Sequence, residues 1–161
     1  MDWPMLSLLF LILVANGSPI LLRYFMRDTF SYPMDCGYCF VDNKRLLGNA
    51  KTWRGLMGSL LITSLSALMI GYDLETGLLV ASGAMGGDIL SSFLKRRLGI
   101  HSSARAPLLD QIPESLVPAL LLMQTFQLSV AAVATLVLVF FLLDVTLSRL
   151  LYQLGIRKKP Y

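Results

Sequence analysis

Apolar residues fall in five runs, at roughly 5–25, 56–72, 77–94, 116–126 and 128–152, separated by polar stretches of very unequal length. Most approach the roughly 20 residues that carry an α-helix across the hydrocarbon of a bilayer. The fourth run is short and touches the fifth, and the polar stretch 124–127 is the only break between them. That break predicts a tight hairpin of two helices rather than one long bent element. The pattern therefore predicts an all-α integral membrane protein with about five transmembrane helices, built as a single membrane-embedded domain over 1–161.

Composition agrees with this pattern. Of 161 residues, 55% are hydrophobic and only 15% charged, with a mean hydropathy of +0.65, which makes the bilayer rather than water the expected solvent. Asp2 is the only charge before the first run, and no small-residue cleavage site is evident after it, so that run is expected to be a retained anchor.

Charge then predicts orientation. With five spans, all fourteen basic residues sort to one face. Arg23, Arg27, Lys44, Arg45, Lys51 and Arg54 flank the first connection, Lys95, Arg96, Arg97 and Arg105 lie in the third, and Arg149, Arg157, Lys158 and Lys159 end the chain. The opposite face carries Asp73, Glu75 and the 124–127 link. The positive-inside rule places the N-terminus outside and the C-terminus in the cytosol, at the cytoplasmic membrane. The longest loops, 26–54 and 95–115, are then cytosolic, and chemistry is expected there.

An ionisable side chain in a span costs at least a few kcal/mol to insert and needs a partner or a function. Asp88 is such a residue, about 9 Å from the cytosolic end of the third span at 1.5 Å per residue. Gly83, Gly86 and Gly87 precede it, small enough for a ligand or a neighbouring helix to come close. Asn16, followed by Gly17, Ser18 and Pro19, reads either as a kink opening onto a cavity or as a plain proline kink. Asp144 has Ser148 and Arg149 nearby and reads as structural.

Lys51, Thr52 and Arg54 lead into the second span, while Ser92, Lys95, Arg96 and Arg97 end the third. Such clusters serve either as anchors on anionic headgroups or as phosphate ligands. The acids interleaved with them, Asp35, Asp42, Asp88, Asp110 and Glu114, favour a site that holds a polyphosphate together with Mg²⁺. Other machinery is missing: His101 has no nucleophile motif around it, and the G-x-S-x-G, H-E-x-x-H and P-loop patterns are absent. Cys36 and Cys39 lack the further ligands of a zinc site, and no nucleic-acid-binding module is present.

Several strings together resemble the CDP-archaeol synthase family. They are Pro33-Met34-Asp35-Cys36-Gly37, Asp42-Asn43-Lys44-Arg45-Leu46-Leu47-Gly48, Lys51-Thr52-Trp53-Arg54-Gly55, the stretch from Gly87-Asp88 through Ser92 to Lys95-Arg96-Arg97, Gly99-Ile100, and Pro107-Leu108-Leu109-Asp110-Gln111. The likeness runs from Asn16 to the fourth span. It implies a five-helix membrane enzyme, a CTP-dependent nucleotidyltransferase that moves CMP from CTP to a membrane lipid phosphate, releasing diphosphate with Mg²⁺. On this chain it implies Asp88 and Asp110 as metal ligands and catalytic groups, Lys95 as a catalytic cation, and Lys51, Arg54, Arg96 and Arg97 on phosphates. Thr52 and Ser92 would help shape the substrate pocket and Asn16 its lateral opening to lipid. Two departures stand out. His101-Ser102-Ser103 replaces a Lys-Ser-Gly-like stretch, and Pro113 stands where the pattern has an aspartate, so Glu114 is expected to supply that carboxylate from the first turn of the fourth helix. The alternative is a non-catalytic membrane protein for lipid binding or assembly that has lost part of the metal site. A transporter would show inverted halves, and no internal repeat is present.

Overall fold

A computed structural model describes residues 2–100 and 106–156; His101, Ser102, Ser103, Arg105 and the basic tail Arg157, Lys158 and Lys159 lie outside the described residues. The chain forms α1 (Trp3–Met26), α2 (Trp53–Met69), α3 (Leu74–Arg97), α4 (Pro107–Leu121) and α5 (Val130–Gln153). Among the described residues α1, α3 and α5, each of 24 residues, are long and apolar enough to cross a membrane, whereas α2 has 17 residues and α4 has 15. The fourth and fifth runs are indeed separate helices.

Helix α3 is the hub, packed against α1, α2 and α4, while α5 lies on α4 and α1. In lipid, apolar side chains gain little by leaving one hydrocarbon environment for another, so close backbone approach and polar bonds hold helices together. The glycines of α3 permit that approach. A Cβ on Gly77 would lie 2.5 Å from the Ser64 Cα of α2, and one on Gly83 would lie 2.9 Å from the Pro118 Cα of α4. Leu8, Leu11 and Ile12 of α1 fill the core with Val80, Phe126, Leu136 and Phe140.

Helix α1 runs unbroken through Asn16 and Pro19. Pro19 has no N–H to give to the Ala15 carbonyl. That carbonyl instead accepts from the Ser18 hydroxyl at 3.2 Å and from the Ser59 hydroxyl of α2 at 2.8 Å, which ties α1 to α2 where the ladder is missing a bond.

The largest departure concerns α4. Proline at its first turn opens it at Pro107, nine positions before the apolar run expected to form it. Pro113 therefore lies inside the helix, and Glu114 falls beyond the first turn, where the helix-dipole argument for an acid no longer applies. The apolar run misled because Asp110, Gln111 and Glu114 face protein rather than lipid, so the helix did not need to be apolar there.

Candidate active site

The segment between α1 and α2 is folded around Asp35, whose side chain is fully buried. It pairs with Arg45 and accepts from the N–H groups of Gly37 at 3.1 Å, Leu47 at 3.1 Å and Gly48 at 2.8 Å. Gly37 and Gly48 both hold positive φ, which lets their N–H groups turn toward one carboxylate. An antiparallel bridge between Pro33 and Thr52 then closes the loop, with the Met34 N–H donating to the Lys51 carbonyl at 2.8 Å. Asp35 is thus the clasp of the loop that carries Lys51 to Asp88 of α3.

Burial pushes the Asp35 carboxyl up, but Arg45 and the N–H groups of Gly48, Gly37 and Leu47 outweigh it and lower its pKa from 3.8 to about 2. A lowered folded pKa stabilises the loop at pH values above 3.8, and this contribution is lost as pH falls through about 2. Asp35→Asn is expected to release the loop even at neutral pH, costing about 1–3 kcal/mol for buried donors left unsatisfied. Limited proteolysis within 33–52 would report it, and a variant as resistant as the parent would refute the clasp.

Helix α3 presents Asp88 and Lys95 on one face, two turns apart, with Ser92 buried between them. Lys51 reaches both carboxylate oxygens of Asp88. Lys95 pairs with Asp110 of α4 at 2.6 Å. Glu114, one turn beyond Asp110, faces Asp88 within hydrogen-bonding reach. Burial works against the Lys51 ammonium, yet Asp88, Glu114 and Asp110 together hold its pKa above the ordinary lysine range. Three acids and two lysines from the loop, α3 and α4 therefore meet at one place.

The other expected ligands are differently employed. Arg97 pairs with Asp42, donates to the Lys44 carbonyl at 3.2 Å and the Arg45 carbonyl at 2.7 Å, and lies 4.9 Å from the Phe40 ring and 5.0 Å from Phe93. It pins the loop to α3. Arg54 donates to the carbonyls of Arg27, at 3.0 Å, and Thr29. Thr52 caps α2, its hydroxyl accepting from the Gly55 N–H at 3.2 Å. Asn16 donates to the Ile12 carbonyl at 3.1 Å and lines a narrow gap between α1 and α5 beside Asp144. Arg96, half-buried at the end of α3, has Asp110 as its nearby counter-charge. Cys36 and Cys39 are free and exposed. Asp144 accepts from Gln111 of α4 at 3.0 Å, a partner that sequence proximity did not suggest.

A hard divalent cation suits these oxygen donors, since Mg²⁺ in nucleotide sites commonly takes one or two carboxylates and leaves the rest of its shell to phosphates and water. Asp88 and Glu114 form such a pair, and two carboxylates so close repel unless a proton or a cation lies between them. The three acids named from sequence do not, however, converge as a ready-made cage; no group of three metal-ligating side chains does so among the described residues. Asp110 is committed to Lys95 instead.

The family model for CDP-archaeol synthase (CarS-like) matches residues 5–161. The chain belongs to that family. It is a membrane enzyme, a CTP-dependent lipid cytidylyltransferase. A CDP-archaeol synthase of Hyperthermus butylicus is 41% identical over 117 residues, covering 68% of this chain and 67% of the relative. One from Thermofilum pendens is 34% identical over 155 residues, covering 92% of this chain and 76% of its own. Among solved structures, an intramembrane enzyme of archaeal membrane-lipid biosynthesis superposes with a TM-score of 0.73 at 29% identity, over 87% of this chain and 89% of its own.

Proposed function

We propose that the chain transfers CMP from CTP to an archaeal ether-lipid phosphate, with Mg²⁺, at a site facing the cytosol. The observation that carries this reading is the meeting of Lys51, Asp88, Lys95, Asp110 and Glu114 at the junction of the first loop, α3 and α4. A lipid phosphate oxygen attacks the α-phosphorus of CTP; the new P–O bond forms as the bond to the β-phosphate oxygen breaks, and diphosphate leaves with the electron pair. The nucleophile is already anionic, so the site has to position two anions and neutralise them.

Lys51 and Lys95 supply that neutralisation from opposite sides, and both are pre-aimed by their carboxylate partners. Arg96, with Asp110 as its nearby counter-charge, is a further cation available to the leaving diphosphate. Asp88 and Glu114, with Asp110 next to them, are the groups that would hold Mg²⁺; that ion would screen the phosphate charge and orient the leaving group. Lysine–carboxylate pairs keep the site compact before substrate arrives and exchange partners when phosphates enter. The whole chain acts as one membrane-embedded domain, its N-terminus outside and its C-terminus in the cytosol, with α2 and α4 completing five spans by packing against the longer helices.

Purified protein incubated with labelled CTP and a panel of ether- and ester-linked lipid phosphates tests this directly. A labelled CDP-lipid that requires Mg²⁺ and forms best from the ether lipid is the expected result. Failure to label any lipid phosphate would overturn the reading in favour of lipid binding alone. Reporter fusions after Glu75 and after Arg105 are expected on opposite sides of the membrane.

A further inference from the structure

Asp144 is an acid in α5, a helix long and apolar enough to cross a membrane, and the reaction described above does not use it. Such a group costs at least a few kcal/mol to insert and needs a reason. None of the ion pairs among the described residues includes it. It accepts instead from the Gln111 amide of α4 at 3.0 Å. Gln111 stands immediately after Asp110 and one turn before Glu114, and the charge of Asp144 reaches Glu114.

Helix α4 needs outside support at this turn. Pro113 and Pro118 provide no N–H, so the Leu109 and Glu114 carbonyls have no partner four residues on, and a helix of 15 residues lacks two rungs of its ladder. The Ser115 hydroxyl bonds back to the Gln111 carbonyl at 2.9 Å and supports only the helix's own backbone. Besides the Lys95–Asp110 pair and the approach of Glu114 to Asp88, two contacts bear on the turn from opposite sides. The Pro113 carbonyl lies against Gly87 of α3 on one side, and the Gln111 amide is held by Asp144 of α5 on the other.

We propose that Asp144 is a positioning residue: through Gln111 it sets the rotation of α4, and so the placement of Asp110 and Glu114 opposite Asp88. This rests on the reading of those acids given under Proposed function. Because the device is a hydrogen bond, it needs an acceptor at 144 rather than a charge.

The test uses the full chain in detergent, with CTP turnover, thermal unfolding, and Mn²⁺ binding measured by electron paramagnetic resonance without lipid. Asp144→Leu and Gln111→Met are each expected to lower kcat and Mn²⁺ affinity about 10- to 100-fold, as loss of a group that orients metal ligands does. The double variant is expected to be no worse than either alone. Asp144→Asn keeps an acceptor and is expected to stay within about threefold of the parent in both. Should Asp144→Leu fail to fold, Gln111→Met carries the decision alone, since it keeps the side chain's volume. Lowered thermal stability with unchanged kcat and Mn²⁺ affinity would overturn the proposal, as would Asp144→Asn as impaired as Asp144→Leu. Asp110→Asn separates the two readings: if it turns over normally, the site itself is misassigned, and if it is defective while Gln111→Met is normal, only the role of Asp144 falls.

Discussion

Replacing Asp88 by asparagine is expected to reduce CTP turnover by about 10²–10³-fold or more, the range typical of losing one preorganised electrostatic contact to the reacting charge. Asp88 both holds Lys51 and faces Glu114, so the substitution removes the proposed metal ligand and misdirects the proposed phosphate-binding cation together. Breaking a buried ion pair costs about 3–5 kcal/mol when the remaining charge is stranded. Here Glu114 is close enough to take up Lys51, so a smaller loss of stability is expected than of activity. Glu114→Gln is expected to act more mildly, raising the Mg²⁺ concentration needed for half-maximal turnover. Initial rates at saturating CTP, beside thermal unfolding, measure both. Turnover within about threefold of the parent in Asp88→Asn would exclude the acid from the reaction.

Gly87→Ala is expected to be nearly as damaging without touching a charged group. Its Cβ would lie 2.1 Å from the Pro113 carbonyl oxygen, 2.5 Å from that carbonyl carbon and 2.8 Å from the Glu114 nitrogen, all of them backbone atoms that no rotamer change can move aside. Helices α3 and α4 would have to separate by about 1 Å to restore van der Waals contact. Overpacking of this kind costs about 1–3 kcal/mol or more, and a shift of about 1 Å between catalytic groups can cost about 10²-fold in rate. Gly86 is the control. A Cβ there meets nothing within 4 Å, so Gly86→Ala is expected to retain activity and to gain up to about 1 kcal/mol from helix propensity. Equal turnover in the two variants would show that the α3–α4 contact does not place the acids.

The helix count was legible because it depends on local patterning. Runs of apolar residues mark α1, α2, α3 and α5 whatever packs against them, and an acid preceded by glycines inside such a run marks Asp88. The start of α4 was not legible from apolarity, because its first turns face other helices and so tolerate Asp110, Gln111 and Glu114. Pro107 was the available signal, since proline favours the first turn of a helix. The cations were harder still. Lys51, Arg54 and Arg97 all read as phosphate ligands, yet only Lys51 reaches a carboxylate of the cluster, while Arg54 holds backbone carbonyls and Arg97 pins the loop. Arginine and lysine at a membrane surface have many possible partners, and which partner is met depends on how the loop between α1 and α2 folds around Asp35.

That the protein is helical and belongs in a bilayer follows from its apolar pattern, since hydropathy is a sum over neighbouring residues that needs no three-dimensional partner. Its motifs likewise determined the family. Packing brings Asp88 to Glu114 and Lys51, Asp110 to Lys95, and Asp144 to Gln111. These residues come from different elements, and their encounter is set by how closely α3 approaches α4. Gly83 and Gly87 fix that distance, because with no Cβ they let the backbones touch.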